Sequence, residues 1–354
     1  MKIIQRLYLK DFLKLLAMLV LGLSVIFSLI DLSGRLDSFM PGKPSIRSLV
    51  LYALYNMPRF LIFLLPMSVL ICSLFTFSQA FRRKEIVAIK TAGGRLRSLF
   101  TPFVAAGICL CIFAFLMGEM VLPDFSKRSV ELKNTLSGKA KKIAFTEGAL
   151  WLKDKKGSPV KIDLYVEDRK IAEGICIFVT GDDFLKEEIM AENAHWNGST
   201  WILEKVKRYN VQTGRMERIG TMEYADLGSP DLFSENIKKP DEMGIAELYR
   251  YMQRLKKAGF RNTKLAVDIN SKISFPLINF FMMLLGISLS LRINLGGGLF
   301  SAGLGLLLSL CYWFGFTLSL SMGYAGILPP FPAAWIVPLV FGSAAVYLFV
   351  KIPE

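Results

Sequence analysis

Two clusters of charge in this 354-residue chain could do chemistry. The first is the run Phe81–Ser98, with Lys/Arg at 82, 83, 84, 90, 95 and 97 against a single acid, Glu85. Ile86 and Ile89 fall at helical spacing and Gly93-Gly94 closes the run, so it reads as a short helix. Such a helix could dock a partner through Glu85 and its apolar neighbours. Charge alone favours a plainer alternative, a loop whose cations sit among lipid headgroups. The second cluster is Arg35, Lys43, Arg47 and Arg59, with Asp31 and Asp37. Cations there could pair with an anionic ligand, or Arg47 and Arg59 could snorkel from the start of a membrane span. No enzymatic constellation accompanies them. The spans hold no carboxylate pair, His195 is the lone histidine, and no His/Cys cluster suits zinc. Gly93-Gly94-Arg95 has neither the spacing nor the lysine of a phosphate loop. Work on a substrate across a membrane would therefore draw its energy from another subunit.

The elements that carry these clusters follow from hydropathy. A chain that is 53% hydrophobic, with mean hydropathy +0.43, is a polytopic membrane protein. Its net charge of +14 is concentrated outside the middle of the chain. Residues 120–272 hold 27 Lys/Arg and 23 Asp/Glu, whereas the rest holds 16 and 6. The excess thus flanks spans and meets anionic lipid, and no nucleic acid is expected. Apolar runs predict spans at 15–30, 60–80, 99–117 and 273–291, and two more within the uncharged stretch 293–350, divided at Gly323–Pro332. The first is read as an uncleaved span. Residues 31–59 are expected as an outer loop, with Glu119 closing the third span at the outer face. Short segments on the other side carry about twelve basic residues against four in that loop, which places both termini and the 82–93 helix in the cytoplasm.

Between the two sets of spans the pattern changes. Val160, Ile162, Leu164 and Val166 alternate with polar residues, as one face of a half-buried strand does. Turn pairs such as Asn197-Gly198 and Thr213-Gly214 recur, so residues 139–227 are expected as an antiparallel sandwich, jelly roll or open barrel. Only Cys176 lies in this segment, so it holds no internal disulfide. An amphipathic helix follows around Ile245–Leu255. The small residues Gly296–Gly298, Ser301, Ala302, Gly303 and Gly305 predict a close helix contact, within the chain or with a partner. The expected fold is an α-helical membrane protein with an inserted all-β domain, three plus three transmembrane helices around it. The boundaries fall at 1–121, 122–260 and 261–354.

Several stretches in this order resemble the LptF/LptG family of lipopolysaccharide-export permeases. Arg83–Ala88 with Thr91-Ala92-Gly93 is similar to that family's coupling helix, and Gly118–Pro123 to its exit from span three. Glu147–Trp151 with Lys153-Asp154 resembles the start of its β domain, particularly in the LptG branch. Leu248–Tyr251 through Gly259, then Ser271–Ile273 and Pro276-Leu277, resemble the approach to span four. The resemblance implies an inner-membrane permease of a Gram-negative bacterium, non-catalytic and without a cofactor of its own. It implies a heterodimer with a second such permease and a dimeric cytoplasmic ATPase that binds ATP and Mg2+. It also implies a periplasmic β-jelly-roll-like domain that passes lipopolysaccharide to periplasmic jelly-roll bridge proteins. On this basis Arg83, Glu85, Ile86, Ile89 and Ala92 would dock the ATPase, with Ile86 and Ile89 in an apolar groove. Arg35, Lys43, Arg47 and Lys133 would meet the lipid's phosphates. A function of a different class, an anchored assembly adaptor whose β domain binds a periplasmic protein, stays open at this point.

Overall fold

Apolar runs of this length become helices because only a helix satisfies its backbone groups without water. The computed structural model describes residues 2–39, 44–91, 96–136, 143–146, 149–166, 170–180, 185–211, 213–227, 230, 243–257, 263–292 and 298–352. Its helices are α1 (Lys2–Phe39), α2 (Ile46–Arg82), α3 (Glu85–Thr91), α4 (Leu96–Leu116), α5 (Leu122–Leu136), α6 (Ile245–Lys257), α7 (Thr263–Arg292), α8 (Gly298–Tyr324) and α9 (Pro330–Val350). A π-helical turn, Met117–Val121, joins α4 to α5. Among the described residues, six helices are long and apolar enough to cross a membrane, as expected. The chain divides into a helical unit (Met1–Gly138, Asp241–Leu248, Asn262–Glu354) and a second unit (Lys139–Pro240, Tyr249–Arg261).

In the helical unit α2 and α7 are central. α7 packs against α2, α4, α8 and α9, and α1 lies along α2. Gly286 sets the closest approach of α2 and α7, since a Cβ there would stand 2.5 Å from that of Ser73. Part of the small-residue run has the same use. A Cβ on Gly305 would meet Ile71 at 2.9 Å, so this face of α8 packs on α2, whereas Gly303 faces open space. Phe12, Phe77, Phe100 and Phe103 form an edge-on aromatic core between α1, α2 and α4.

Two expectations change here. Residues 31–39 and 46–59 are helical rather than an outer loop. At 38 residues α1 is about 57 Å long, well beyond a hydrocarbon core of about 30 Å. The helix outlasts its apolar run because Asp31 and Arg35, one turn apart, pair along it. Likewise the third span continues through the π turn to Leu136, so the helical unit extends past the boundary expected at 121.

The second unit is an antiparallel sheet whose seven strands pair in sequence order: β1 (Ile143–Thr146), β2 (Ala149–Lys153), β3 (Pro159–Val166), β4 (Ile171–Thr180), β5 (Leu185–Trp196), β6 (Trp201–Asn210) and β7 (Met216–Tyr224). The inserted β domain is thus as expected. The sheet rolls on itself. Tyr165 of β3 and Trp201 of β6 bring their rings to 6.4 Å, and the turn after β2 reaches the end of β7. There Tyr224 donates to Asp154 at 2.6 Å, the Lys155 N–H donates to the Asp226 carbonyl at 2.9 Å, and Lys156 pairs with Asp226 at 2.5 Å. A flat sheet would hold strands that far apart in order well beyond such contacts.

Alternation along β3 holds only in part. Val160 and Ile162 enter the core, but the next core residue is Tyr165. Leu164 is buried outside that cluster, and the Val166 side chain lies outside the described residues. Neighbouring strands shift in the same way, from Ile175 to Ala172, from Ala191 to Ala194 and from Leu203 to Val206. The shifts align with a line of interrupted pairing through Asp163, Gly174, Glu192 and Lys205. Gly174 makes the crease possible. Its φ is +65°, and a Cβ would stand 2.6 Å from Asp163 Oδ2.

Candidate functional site

The helical unit encloses a cavity of about 520 Å3, lined from α1, α2, α4, the π turn, α6, α7 and α8. Its apolar wall includes Phe60, Phe63, Phe115, Phe275, Phe316 and Leu320. Six charged residues also line it: Arg35, Arg59 and Lys272, with Asp31, Glu119 and Asp268.

Each carboxylate is engaged by donors of the chain itself. Asp31 accepts from Arg35 Nε at 3.0 and 3.1 Å, and from the Tyr52 hydroxyl at 3.1 Å. Tyr52 is only 3% exposed and its ring meets Phe39 edge-on at 5.2 Å, so the carboxylate has a fixed support. The terminal amino groups of Arg35 have no partner among the described residues, which leaves the outer edge of its fork for an anion. Glu119 sits in the π turn and accepts the Ile245 N–H at 2.7 and 2.8 Å, capping the N-terminus of α6. Gly244 permits this approach, since a Cβ would stand 2.8 Å from Glu119 Oε1. Asp268 is buried and accepts from the Tyr324 hydroxyl at 2.5 Å, which ties α7 to α8. Lys272 lies one turn further along α7. The arrangement suits a ligand with anionic groups on an apolar body. No group of metal-ligating side chains occurs among the described residues.

Of the four cations expected at a ligand, Arg35 lines the cavity. Arg47 is exposed in the first turn of α2 and Lys133 is half-buried at the end of α5; neither lines it. Lys43 lies outside the described residues. Sequence reasoning left Arg59 between snorkelling and an anionic ligand, left Glu119 at the outer face and gave Asp268, Lys272 and Tyr324 no role in a site. The signal available was the spacing of Asp268 and Lys272, four apart on a helix that begins at Thr263 rather than at 273.

The second sequence cluster surrounds α3. Lys84, with φ +58°, turns the chain between α2 and α3. Glu85 accepts a hydrogen bond from the Tyr8 hydroxyl of α1, and Arg83 approaches it at 4.0 Å. Ile86 is 4% exposed and belongs to the helical core, with half-buried Ile89 packed against that core. Ile86 therefore anchors α3 to its own chain and is not offered to a partner's groove. The reason is spacing: residues one turn apart share the inward face. The exposed face carries Arg83, Val87 and Ala88, while Ala92 lies outside the described residues.

A comparison with curated proteins finds no match. Residues 6–351, nearly the whole chain, match the model of the lipopolysaccharide export system permease LptF/LptG, and the chain belongs to that family.

Proposed function

We propose that this permease takes lipopolysaccharide from the inner membrane into the cavity beside Arg35, driven by a separate cytoplasmic ATPase. A second permease of the family completes the complex, α3 is the ATPase-docking element, and the β unit passes the lipid to periplasmic jelly-roll bridge proteins. The resemblance of Glu147–Trp151 and Lys153-Asp154 favours the LptG branch. ATP and Mg2+ belong to the ATPase, and this chain contributes binding and movement.

The observation that carries the reading is one wall joining Arg35, Arg59 and Lys272 to a run of phenylalanines. Phosphorylated lipid A needs cations at headgroup depth, and its acyl chains need apolar surface, at about 0.8 kcal/mol per buried methylene. A β unit alone would serve an assembly adaptor equally well; a cavity of mixed character would not be needed.

Photo-crosslinkers at Phe63 and Phe275 should capture lipopolysaccharide, whereas one at Leu310, exposed on α8, should not. Arg35→Gln should lower capture by about tenfold, the worth of one charge-assisted hydrogen bond. ATP added to the assembled complex should release the lipid. Equal capture at all three positions, indifferent to Arg35 and ATP, would sink the proposal.

A further inference from the structure

The end of α2 and the start of α8 meet over a second hollow, about 260 Å3, which shares no lining residue with the cavity beside Arg35. Ser78, Gln79, Arg82 and Arg83 line it from one side and Gly298 from the other. Ser78 is 4% exposed, and its hydroxyl has no hydrogen-bond partner among the described residues. Ser24, Ser73 and Ser288 behave differently, each returning its proton to a carbonyl one turn back. Ser78 differs from Ser68 and Ser309, which are also buried without a partner, in lining a hollow, where its hydroxyl can donate to a ligand.

The surroundings specify an anion. Gly298 is the first residue of α8, a helix of 27 residues, so first-turn N–H groups and the positive end of the helix face this place. A Cβ on Gly298 would stand 2.5 Å from Phe75 Cε2, so backbone comes where a side chain would not fit. Arg82 is exposed and makes no ion pair among the described residues, while Arg83 reaches Glu85 only at 4.0 Å. Of the carbonyls at the end of α2, those of Gln79 and Phe81 are turned away from an anion by the Arg83 and Lys84 N–H groups, at 3.0 and 2.9 Å, and Arg82 and Arg83 offset the negative end of that helix. Beside the hollow, Leu299 and Phe300 present exposed apolar surface.

We propose that this hollow binds the phosphodiester headgroup of an anionic phospholipid of the inner leaflet. Arg82 and Arg83 would meet the phosphate oxygens, Ser78 and the first N–H groups of α8 would donate to them, and acyl chains would follow Leu299 and Phe300. The leaflet rests on the orientation proposed above; the binding chemistry does not. Basic hollows between membrane helices on the cytoplasmic side are where anionic headgroups are held.

The test is retention of lipid by the purified full-length chain in mild detergent, read by native mass spectrometry. A single phosphatidylglycerol should be kept in preference to phosphatidylcholine. Arg82→Gln should weaken retention about fivefold. Ser78→Val, which removes no charge, should also weaken it severalfold, and Ser78→Thr should restore it with the melting temperature unchanged. Equal retention of the two lipids, or full retention by Ser78→Val, would overturn the proposal. So would displacement of phosphatidylglycerol by an equal concentration of inorganic phosphate, which would assign the hollow to free phosphate. Neither lipopolysaccharide nor ATPase enters the measurement, so its failure would leave the export reading standing.

Discussion

Asp31 shows what one carboxylate does when two elements converge on it. It fixes the Nε edge of Arg35 and receives Tyr52 from the neighbouring helix, so the cation reaches the cavity already oriented. Tyr224 closes the β unit in a similar way. It is 8% exposed and donates to Asp154. Burial first, then the hydrogen bond to and the charge of Asp154, push its phenol well above the ordinary value near 10. The unfolded chain gives up this proton near pH 10 while the folded chain keeps it. Its contribution is therefore complete below about pH 10 and falls as pH climbs toward the folded value. The fluorescence of buried Trp201 should report stability falling there by about 1.4 kcal/mol per pH unit from this group. Cys176, pushed up to about 12 by burial and by its hydrogen bond to Glu188, adds an earlier slope, so the comparison is between variants. Tyr224→Phe should cost about 1.5–3 kcal/mol at neutral pH and flatten the alkaline loss. An unchanged slope would place the proton elsewhere. At this scale the sequence marked Arg35 as a candidate cation, but its support by Tyr52 comes from another helix 17 residues away, which no periodicity encodes. Glu119 and Asp268 were hidden for the same reason, since their donors lie on helices distant in the chain.

Among elements, spans were legible because hydropathy integrates over about twenty residues. Helix ends were not, because a helix leaving the apolar zone continues on ion pairs and caps that hydropathy cannot see. The crease in the β sheet was hidden likewise: it depends on Gly174 standing opposite Asp163 across a strand pair. For α3 the sequence marked the helix but not its inward face. Seven residues cannot hold a helix alone, so Ile86 in the core and Tyr8 on Glu85 must hold it. The two contacts predict separable effects. Ile86→Ala should lower the melting temperature of the chain, as removal of a buried Ile costs about 2–5 kcal/mol. Tyr8→Phe should leave melting nearly unchanged and weaken ATPase binding about five- to tenfold, since Glu85 loses the donor that aims it. Glu85→Lys should abolish co-purification. Tyr8→Phe chains that bind the ATPase at wild-type affinity would show that Glu85 needs no such support.

Across the whole helical unit, α1 links the two clusters from which the sequence analysis began. Tyr8 touches Glu85 near one end, and Arg35 lines the cavity 27 residues further on, about 40 Å along the same axis. That distance exceeds the hydrocarbon core, so α3 and the cavity cations are expected at opposite faces of the membrane. The charge asymmetry predicts the orientation of the pair: six cations at 82–97 outweigh Arg35, Lys43, Arg47 and Arg59, so α3 is expected on the cytoplasmic side. Cysteine labelling tests this with a membrane-impermeant maleimide in cells whose outer membrane admits it. Asp37→Cys, two residues beyond Arg35, and Lys207→Cys, exposed on β6, should label without disruption of the inner membrane. Val87→Cys, on the exposed face of α3 at 47% exposure, should label only after that membrane is opened. Labelling of Val87→Cys in intact cells with Asp37→Cys protected would invert the orientation. It would place the docking helix away from any source of ATP. Labelling of both from one side would mean that α1 does not cross the membrane between Tyr8 and Arg35, and the link from docking helix to cavity would fall with it.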